Sequence, residues 1–364
     1  MTTSMPWSVK MADTVLERRA DLPPAWSHEY GAMFQGMLDV WRRTGDSRYL
    51  DYVKRHIDAV VDKDGAIAGY NREKYSLDDI VSGRMLFPLI DHTGDERYRK
   101  AAVTIRDHFR SHPRTSDGGF WHNGGLTNQM LLDGIYMGTP FYAEYARREN
   151  DAEGLDDAVR QPLLLVEHNR DAASGLYYHG WNEDKKQDWA DPASGCSPSF
   201  WGRATGWYAM ALADLLEIVP KDHPRYSELL AAYRDLMAAL VKVQDAESGL
   251  WWHVLDQGKR EGNYLEASAS LMILYALARG LALGHLPADP FRAAADRAFA
   301  GATQRLVEEK DGMLTVKNVC KTAGLGVKPG RDGSFAYYIS EPIVDDDLKG
   351  VAGFLLAASA YEAL

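Results

Sequence analysis

The sequence predicts an all-α fold, an (α/α)6 barrel of six inner and six outer helices, on three observations. Six stretches are amphipathic with charged faces: 9–20, 46–62, 95–111, 153–169, 223–243 and 289–309. Six others are apolar nearly all round and rich in Gly, Ala and Ser: 28–43, 76–93, 130–148, 200–218, 264–283 and 346–363. A helix that is apolar on every side is buried on every side, so the second set forms an inner ring and the first set surrounds it. Third, the two sets alternate along all 364 residues with no Pro/Ser-rich linker or shift of composition between them. One domain, 1–364, follows, with the first helix closing the ring beside the last.

Two kinds of punctuation separate the helices. One is a Gly-Asp-x-Arg-Tyr helix start, seen at Gly45-Asp46-Ser47-Arg48-Tyr49 and Gly94-Asp95-Glu96-Arg97-Tyr98, with looser versions at Asn150-Asp151, Asp222-His223-Pro224-Arg225-Tyr226 and Asp289-Pro290. The other is a tight turn leading into a short, often aromatic stretch. It recurs at Asp64-Gly65, Asp117-Gly118, Ser174-Gly175, Ser248-Gly249, Asp311-Gly312 and Asp332-Gly333. These loops feed the N-termini of inner helices, so they share one mouth of the barrel. Positive helix ends with unpaired N–H groups converge there, which suits an anionic ligand.

Composition narrows the function. A hydrophobic content of 46% with 26% charged residues fits a globular protein. A net charge of −11 without a basic tract excludes nucleic acid and anionic membranes as partners, though not a small anion in a pocket. The apolar stretch Leu265–Leu283 carries Glu266, Ser268, Ser270 and Arg279, so it reads as a buried helix and not a membrane span. Cys196 and Cys320 are expected as free thiols of a reducing compartment. The first ten residues lack a charged region followed by an apolar run, and a cytoplasmic location is expected.

Chemistry gathers around Leu131-Leu-Asp-Gly-Ile-Tyr-Met137, where Asp133 stands among apolar and aromatic groups. Burial disfavours a carboxylate, so Asp133 is expected to stay protonated as a general acid requires; the competing reading is a first-turn acid stabilised by the helix dipole. Three histidines follow aromatic residues in equivalent loops: His122 after Phe120-Trp121, His179 after Tyr177-Tyr178, and His253 after Trp251-Trp252. They invite a metal site, but there is no His-Glu-x-x-His motif and no carboxylate in ligand spacing, so no metal or cofactor is expected. His108 and His112 read as solvent-facing residues at an outer helix end. Ser197 reads as an N-cap with Pro198 in the first turn. Arg203 and Trp207 lie one turn apart on an otherwise apolar helix. Arg203 is costly there unless an anion answers it, either an internal acid such as Glu266 or a substrate carboxylate. Asp78 or Asp79 either caps a helix or reaches the site.

These residues resemble the unsaturated rhamnogalacturonyl hydrolases, glycoside hydrolase family 105, related to the family 88 unsaturated glucuronyl hydrolases. The resemblance is carried by Leu132-Asp-Gly-Ile-Tyr-Met137, Tyr178-His-Gly-Trp181, Trp201-Gly-Arg-Ala-Thr-Gly-Trp-Tyr208, Asn263-Tyr-Leu-Glu-Ala-Ser-Ala-Ser270, Arg331-Asp-Gly-Ser-Phe-Ala-Tyr-Tyr338 and Asp347-Leu-Lys-Gly350. It implies removal of a 4,5-unsaturated uronic acid from the non-reducing end of lyase-generated oligosaccharides by hydration of a vinyl ether. Asp133 is then the acid and His179 its catalytic companion, while His28, Asp78, His122, Met137, Trp201, Arg203 and Trp207 bind substrate. The implied partner is a small anionic oligosaccharide, unsaturated galacturonyl-rhamnose first, handled by a monomer or homodimer. A glucuronyl hydrolase on glycosaminoglycan- or ulvan-type fragments is the alternative, and a sugar epimerase using His179 and His253 is another. The chain departs from the family pattern at Leu131, where an aromatic is frequent, at Asn123 (a basic residue), at His28 (Tyr) and at Asp346 (Asn).

Overall fold

The computed structural model describes residues 5–326 and 330–364. The helices come in antiparallel pairs whose boundaries follow from the sequence punctuation. Helix α1 (Trp7–Arg18) is followed by α2 (His28–Thr44) and α3 (Ser47–Asp58), and then by α4 (Leu86–Thr93) and α5 (Glu96–Ser111). Gly45 and Gly94 close α2 and α4 in the left-handed conformation, and the next residues, Asp46 and Asp95, cap α3 and α5 by accepting from the backbone N–H of Arg48 and Arg97. A Gly C-cap and an Asp N-cap thus make the shortest inner-to-outer connection, each cap stabilising by about 1 kcal/mol.

Strand β1 (Gln129–Leu131) leads into α6 (Leu132–Arg148), α7 (Ala152–His168) follows, and β2 (Gly180–Asn182) precedes α8 (Gly202–Ile218) and α9 (Tyr226–Lys242). Next come α10 (Ala267–Ala282), α11 (Ala288–Gly301), β3 (Val307–Lys310), β4 (Met313–Val316) and β5 (Val319–Cys320). The chain ends with α12 (Phe335–Ser340), β6 (Ile343–Val344) and α13 (Leu348–Tyr361). The inner ring runs α2, the segment 77–93, α6, α8, α10 and α13, and α13 packs back on α2. Helices α1, α3, α5, α7, α9 and α11 lie outside, with α1 against α13. This is the (α/α)6 barrel. Every residue of α8 from Gly202 to Leu216 is buried, as is every residue of α13 from Lys349 to Ala360, which accounts for the lack of a polar face in those stretches. Among the described residues, no helix is long and apolar enough to cross a membrane. The first four residues of the N-terminal stretch lie outside the described residues.

Several expectations are corrected. The stretch 76–93 is not one helix: Leu77–Asp79 and Val81–Met85 are 3-10 turns, and α4 starts only at Leu86. Pro88 is the reason, because in a longer α-helix its ring would meet the carbonyl of Arg84, whereas in the first turn of α4 it is tolerated. The outer stretch 289–309 ends early, because Asp311 and Gly312 both adopt positive φ and form a two-residue turn that pairs Lys310 with Met313 and draws 307–310 into a hairpin. Ser197 caps nothing: α8 begins five residues later, at Gly202. His108 and His112 are buried, not solvent-facing. Tyr70 Oη lies 2.9 Å from Nδ1 of His108, Nε2 of His108 lies 2.8 Å from Nδ1 of His112, and Nε2 of His112 lies 2.7 Å from the Trp121 carbonyl. The carbonyl can only accept, so His112 donates from Nε2, His108 donates to His112, and Tyr70 donates to His108. This chain anchors the loop that presents His122.

Candidate active site

The second residue of five inner segments reaches one cavity of about 250 Å³. These are Glu29 of α2, Asp78 of the Leu77–Asp79 turn, Asp133 of α6, Arg203 of α8 and Lys349 of α13. The sixth equivalent, Ser268 of α10, instead donates to Glu266. Helix N-termini converge on this mouth, so a residue one step inside each helix points along the barrel axis. His28, His122, Met137, His179, Trp201 and Trp207 complete the set, and every residue assigned to the site from sequence lines the same cavity. Asp78 lines it and Asp79 does not; the Asp79 carbonyl accepts from Trp26 Nε1 at 2.6 Å. A larger cavity of about 740 Å³ opens at the other end of the barrel, but its charges answer one another, as Arg84 does Asp214 at 2.8 Å and Arg148 does Asp91 at 2.7 Å.

Asp133 and His179 meet because a short antiparallel ladder holds their backbones. Leu131 pairs with Gly180, and the N–H of Leu132 donates to the carbonyl of His179 at 3.0 Å. Nε2 of His179 then lies 3.0 Å from Oδ2 of Asp133. That is close enough for charge to act, yet the two are not aligned as a hydrogen bond, and Oδ2 is buried without a hydrogen-bond partner. Catalytic contacts commonly tighten only around substrate. His122 approaches the same helix start from the other side. A Cβ on Gly134 would stand 3.1 Å from Nδ1 of His122 and 2.9 Å from Leu77, which is why glycine follows the acid.

The protonation of Asp133 corrects the sequence reading. Burial does push the carboxyl up, but His179 and then His122 outweigh burial and hold it below the ordinary carboxylate range. In the free protein the acid is therefore ionised. The apolar neighbours were legible in the sequence; the two imidazoles brought in by other loops were not.

Arg203 is buried, with its guanidinium over the Trp201 ring at 4.8 Å and Nη1 donating to the Cys320 carbonyl. Among the described residues no carboxylate lies within 4.0 Å of it. Glu266, offered above as its ion-pair partner, is instead the N-cap of α10, accepting from Ala269 N at 2.6 Å and from Cys320 N at 2.8 Å. The two charges hold the N–H and the carbonyl of Cys320 and do not meet. Burial works against the Arg203 charge, and the surrounding acids, Glu266, Asp133 and Asp347 among them, more than offset it. A charged fork at the cavity wall without a carboxylate partner can grip an anion.

Glu29 and Lys349 were missed as site residues, although they share the helix position of Asp133 and Arg203. Lys349 Nζ is held by Glu29 at 2.6 Å and Asp347 at 2.8 Å. The outer wall is apolar: Leu126, Leu131 and Leu325 line it and cluster with Trp189. Asp346, in the left-handed conformation, pairs with Arg18 at 2.9 Å and Arg19 at 3.1 Å. His253 is buried outside the cavity, its Nε2 3.1 Å from the Tyr338 carbonyl. Among the described residues no group of three or more His, Cys, Asp or Glu side chains gathers as a metal would need.

Comparison with known proteins places the chain and its fold. The family model for Glycosyl Hydrolase Family 88 matches residues 5–364. The fold superimposes on a C. acetobutylicum ATCC 824 glycoside hydrolase from family 105 with a TM-score of 0.96 and 42% identity, over 99% of this chain and 100% of the other. The unsaturated rhamnogalacturonyl hydrolase YesR of Bacillus subtilis (strain 168) is 28% identical over 271 residues, which are 73% of this chain and 74% of YesR. The unsaturated glucuronyl hydrolase of Bacillus sp. GL1 shares the fold at 16% identity, with a TM-score of 0.66 over 96% of this chain and 94% of that one.

Proposed function

The chain belongs to glycosyl hydrolase family 88, among the unsaturated uronyl hydrolases grouped there and in family 105, and from that premise we propose that it removes a 4,5-unsaturated galacturonic acid from rhamnose at the non-reducing end of lyase-generated oligosaccharides. The observation that carries the reading is Arg203, a buried guanidinium on the cavity wall with no carboxylate of the described residues within 4.0 Å. The nearby acids keep the guanidinium charged but none is paired with it directly, and a uronate carboxylate can take that contact.

Asp133 is the acid in this reading. The incoming carboxylate places negative charge nearby and its ring displaces water, and both effects raise Asp133 from its depressed free value. The protonated carboxyl gives its proton to C4, forming the C4–H bond from the double bond's electron pair. The positive charge left at C5 is shared with the ring oxygen. Water adds at C5 and returns a proton to Asp133, and the hemiketal so formed opens and expels the aglycone sugar. One carboxyl serves as acid and then as base, so no second carboxylate at glycosidase spacing is required. His122, Asp78 and His28 face the sugar hydroxyls, and Trp207, stacked on Tyr136 at 4.7 Å, offers its remaining face to the ring.

The apolar wall of Leu126, Leu131 and Leu325 supports a 6-deoxy aglycone, whose methyl group needs no hydrogen bond. A sulfated aglycone would call for a free cation, whereas among the described residues lining the cavity Lys349 is already held by two carboxylates and Arg331 lies 3.6 Å from Glu341. The epimerase alternative required His253 as a second base, and His253 does not line the cavity. The buried free thiols Cys196 and Cys320 are in keeping with a cytoplasmic, reducing setting. The test is incubation with unsaturated galacturonyl-rhamnose and with unsaturated glucuronyl disaccharides from glycosaminoglycans, following the ultraviolet absorbance of the ene-carboxylate. Faster loss on the rhamnoside, with free rhamnose released, is expected; persistence of absorbance on every lyase product would defeat the proposal.

A further inference from the structure

The contacts that position Asp133 do not stop at His179. On the far side of the imidazole, Nδ1 lies 2.7 Å from the hydroxyl of Tyr338 in α12. Tyr338 is fully buried and stacked on Trp201, with centroids 5.6 Å apart and planes at 9°. Its carbonyl is held by Nε2 of His253, so the short helix is fixed at the residue that meets His179.

We propose that Tyr338 is a positioning residue for the proton transfer, assigning the tautomer of His179 so that Nε2–H faces Oδ2 of Asp133 and the other carboxyl oxygen carries the proton to substrate. The proposal rests on the reading of Asp133 as the acid. It follows from counting donors. Among the described residues the Tyr338 hydroxyl has no hydrogen-bond partner except Nδ1 of His179. A buried hydroxyl left without an acceptor costs about 1–3 kcal/mol, so it donates to Nδ1. With Nδ1 accepting, the neutral ring carries its proton on Nε2, 3.0 Å from Oδ2. Tyr338 keeps its own proton, since burial first, and then Tyr337 and Asp133, push it well above the ordinary phenol value.

The consequence is a division of labour between the two carboxyl oxygens. Once the contact tightens around substrate, Oδ2 takes the Nε2–H bond in both protonation states of Asp133, accepting as a carboxylate oxygen or as the carbonyl oxygen of the acid. The remaining oxygen loses its proton to C4 and regains one from the water that adds at C5, so protons balance over the cycle without a transfer to His179. Were His179 protonated on Nδ1 instead, its Nε2 lone pair would face the carboxylate after transfer and repel it. The charged and titratable groups around this pair are Asp133, His122 and Arg203 on the cavity side and Tyr338 and His253 behind.

Tyr338→Phe is the test, since the phenyl ring keeps the Trp201 stack and removes only the hydroxyl. Wild type must first consume an ene-carboxylate substrate; failure there sinks the functional reading and not the role of Tyr338. Given activity, the variant is expected to lose about 10- to 100-fold in kcat with KM within threefold, to shift the pH profile of kcat, and to melt within a few degrees of wild type. A kcat within twofold and an unmoved pH profile would overturn the proposal. Should the variant fold poorly, nitrogen-15 histidine NMR of the wild type at neutral pH decides directly. With the His179 resonances assigned by their loss in His179→Gln, a proton on Nε2 supports the assignment and a proton on Nδ1 overturns it.

Discussion

Asp133 and His179, 46 positions apart in the sequence, are set against each other by backbone and not by side chains: Leu131 pairs with Gly180, and Leu132 N–H donates to the His179 carbonyl at 3.0 Å. A Cβ on Gly180 would stand 2.5 Å from Leu131 Cδ2 and 2.7 Å from Leu325 Cδ1. Gly180→Val therefore pushes the Leu131 and Leu325 side chains aside, and Leu131 passes that strain to the ladder it belongs to. Overpacking of this kind costs about 1–3 kcal/mol in stability. Activity is expected to fall further, by about 100-fold at a temperature where the variant is fully folded, because a displacement near 1 Å is enough to misplace the acid. Retention of more than half the wild-type kcat would mean that the ladder does not set the pair.

The ionised state of Asp133 in the free protein makes a prediction about pH. A general acid works only while protonated, so rate falls as pH rises through its pKa. The profile of kcat/KM reports the free enzyme, where His179 and His122 overcome burial and depress Asp133; kcat reports the complex, where the substrate carboxylate raises it. The alkaline limb is expected at higher pH in kcat than in kcat/KM, and Asp133→Asn is expected to lower kcat by about 10²–10⁴-fold. Coincident limbs would show that substrate does not raise the acid.

Arg203→Lys separates charge from geometry. Lysine keeps the positive charge but lacks the planar fork that can hold both a carboxylate and the Cys320 carbonyl. Weakening a buried charge-assisted pair costs about 2 kcal/mol or more, so kcat/KM for an unsaturated uronate is expected to fall by ~30-fold or more. A substrate whose uronate is converted to the amide should lose little further between wild type and variant, since the carboxylate contact is already absent. An equal loss on both substrates would assign Arg203 a structural role only.

The buried histidine chain behind His122 predicts acid lability. His108 is pushed down to about 3, by burial first and then by His112; His112 is pushed down to about 4, chiefly by burial. In the unfolded chain both titrate near 6.5. Between about pH 6.5 and 4 the unfolded chain takes up protons that the folded chain refuses, so stability is full above 6.5 and is lost as pH falls. The melting temperature of wild type is expected to drop more steeply from pH 7 to 5 than that of His108→Gln/His112→Gln. Parallel curves would remove these histidines from the acid response.

The ring was legible because its helices carry periodic signals, and the alternation of charged and featureless stretches survives any detail of packing. Failures fell where a local rule overrode the pattern: Pro88 shortened an inner helix, and the Asp311-Gly312 turn took the end of an outer one. Candidate site residues were legible where an unusual side chain stood on an apolar helix, as Asp133 and Arg203 do. Glu29 and Lys349 occupy the same helix position, but Lys349 follows Asp345-Asp346-Asp347 and so carried no contrast, while Glu29 in the first turn reads as an ordinary helix-start acid. The state of Asp133 was not legible at all, because it depends on imidazoles from two other loops whose approach only the folded chain fixes.

Aglycone choice is the last consequence, and it rests on the Leu126, Leu131 and Leu325 wall. A 6-deoxy sugar presents a methyl group there, while a hexose presents a hydroxymethyl group that would be buried against three leucines, none of which can hydrogen-bond it. An unpaired buried hydroxyl costs about 1–3 kcal/mol, so wild type is expected to favour the rhamnoside over the corresponding hexoside by roughly 5- to 150-fold in kcat/KM. Leu325→Ser supplies a hydroxyl partner and removes apolar surface. Leu325 is buried against Gly180, and serine, being smaller, leaves the ladder unclashed, so kcat on the rhamnoside should change less than the preference, which narrows toward parity. An unchanged ratio in Leu325→Ser would place the selecting surface elsewhere in the cavity.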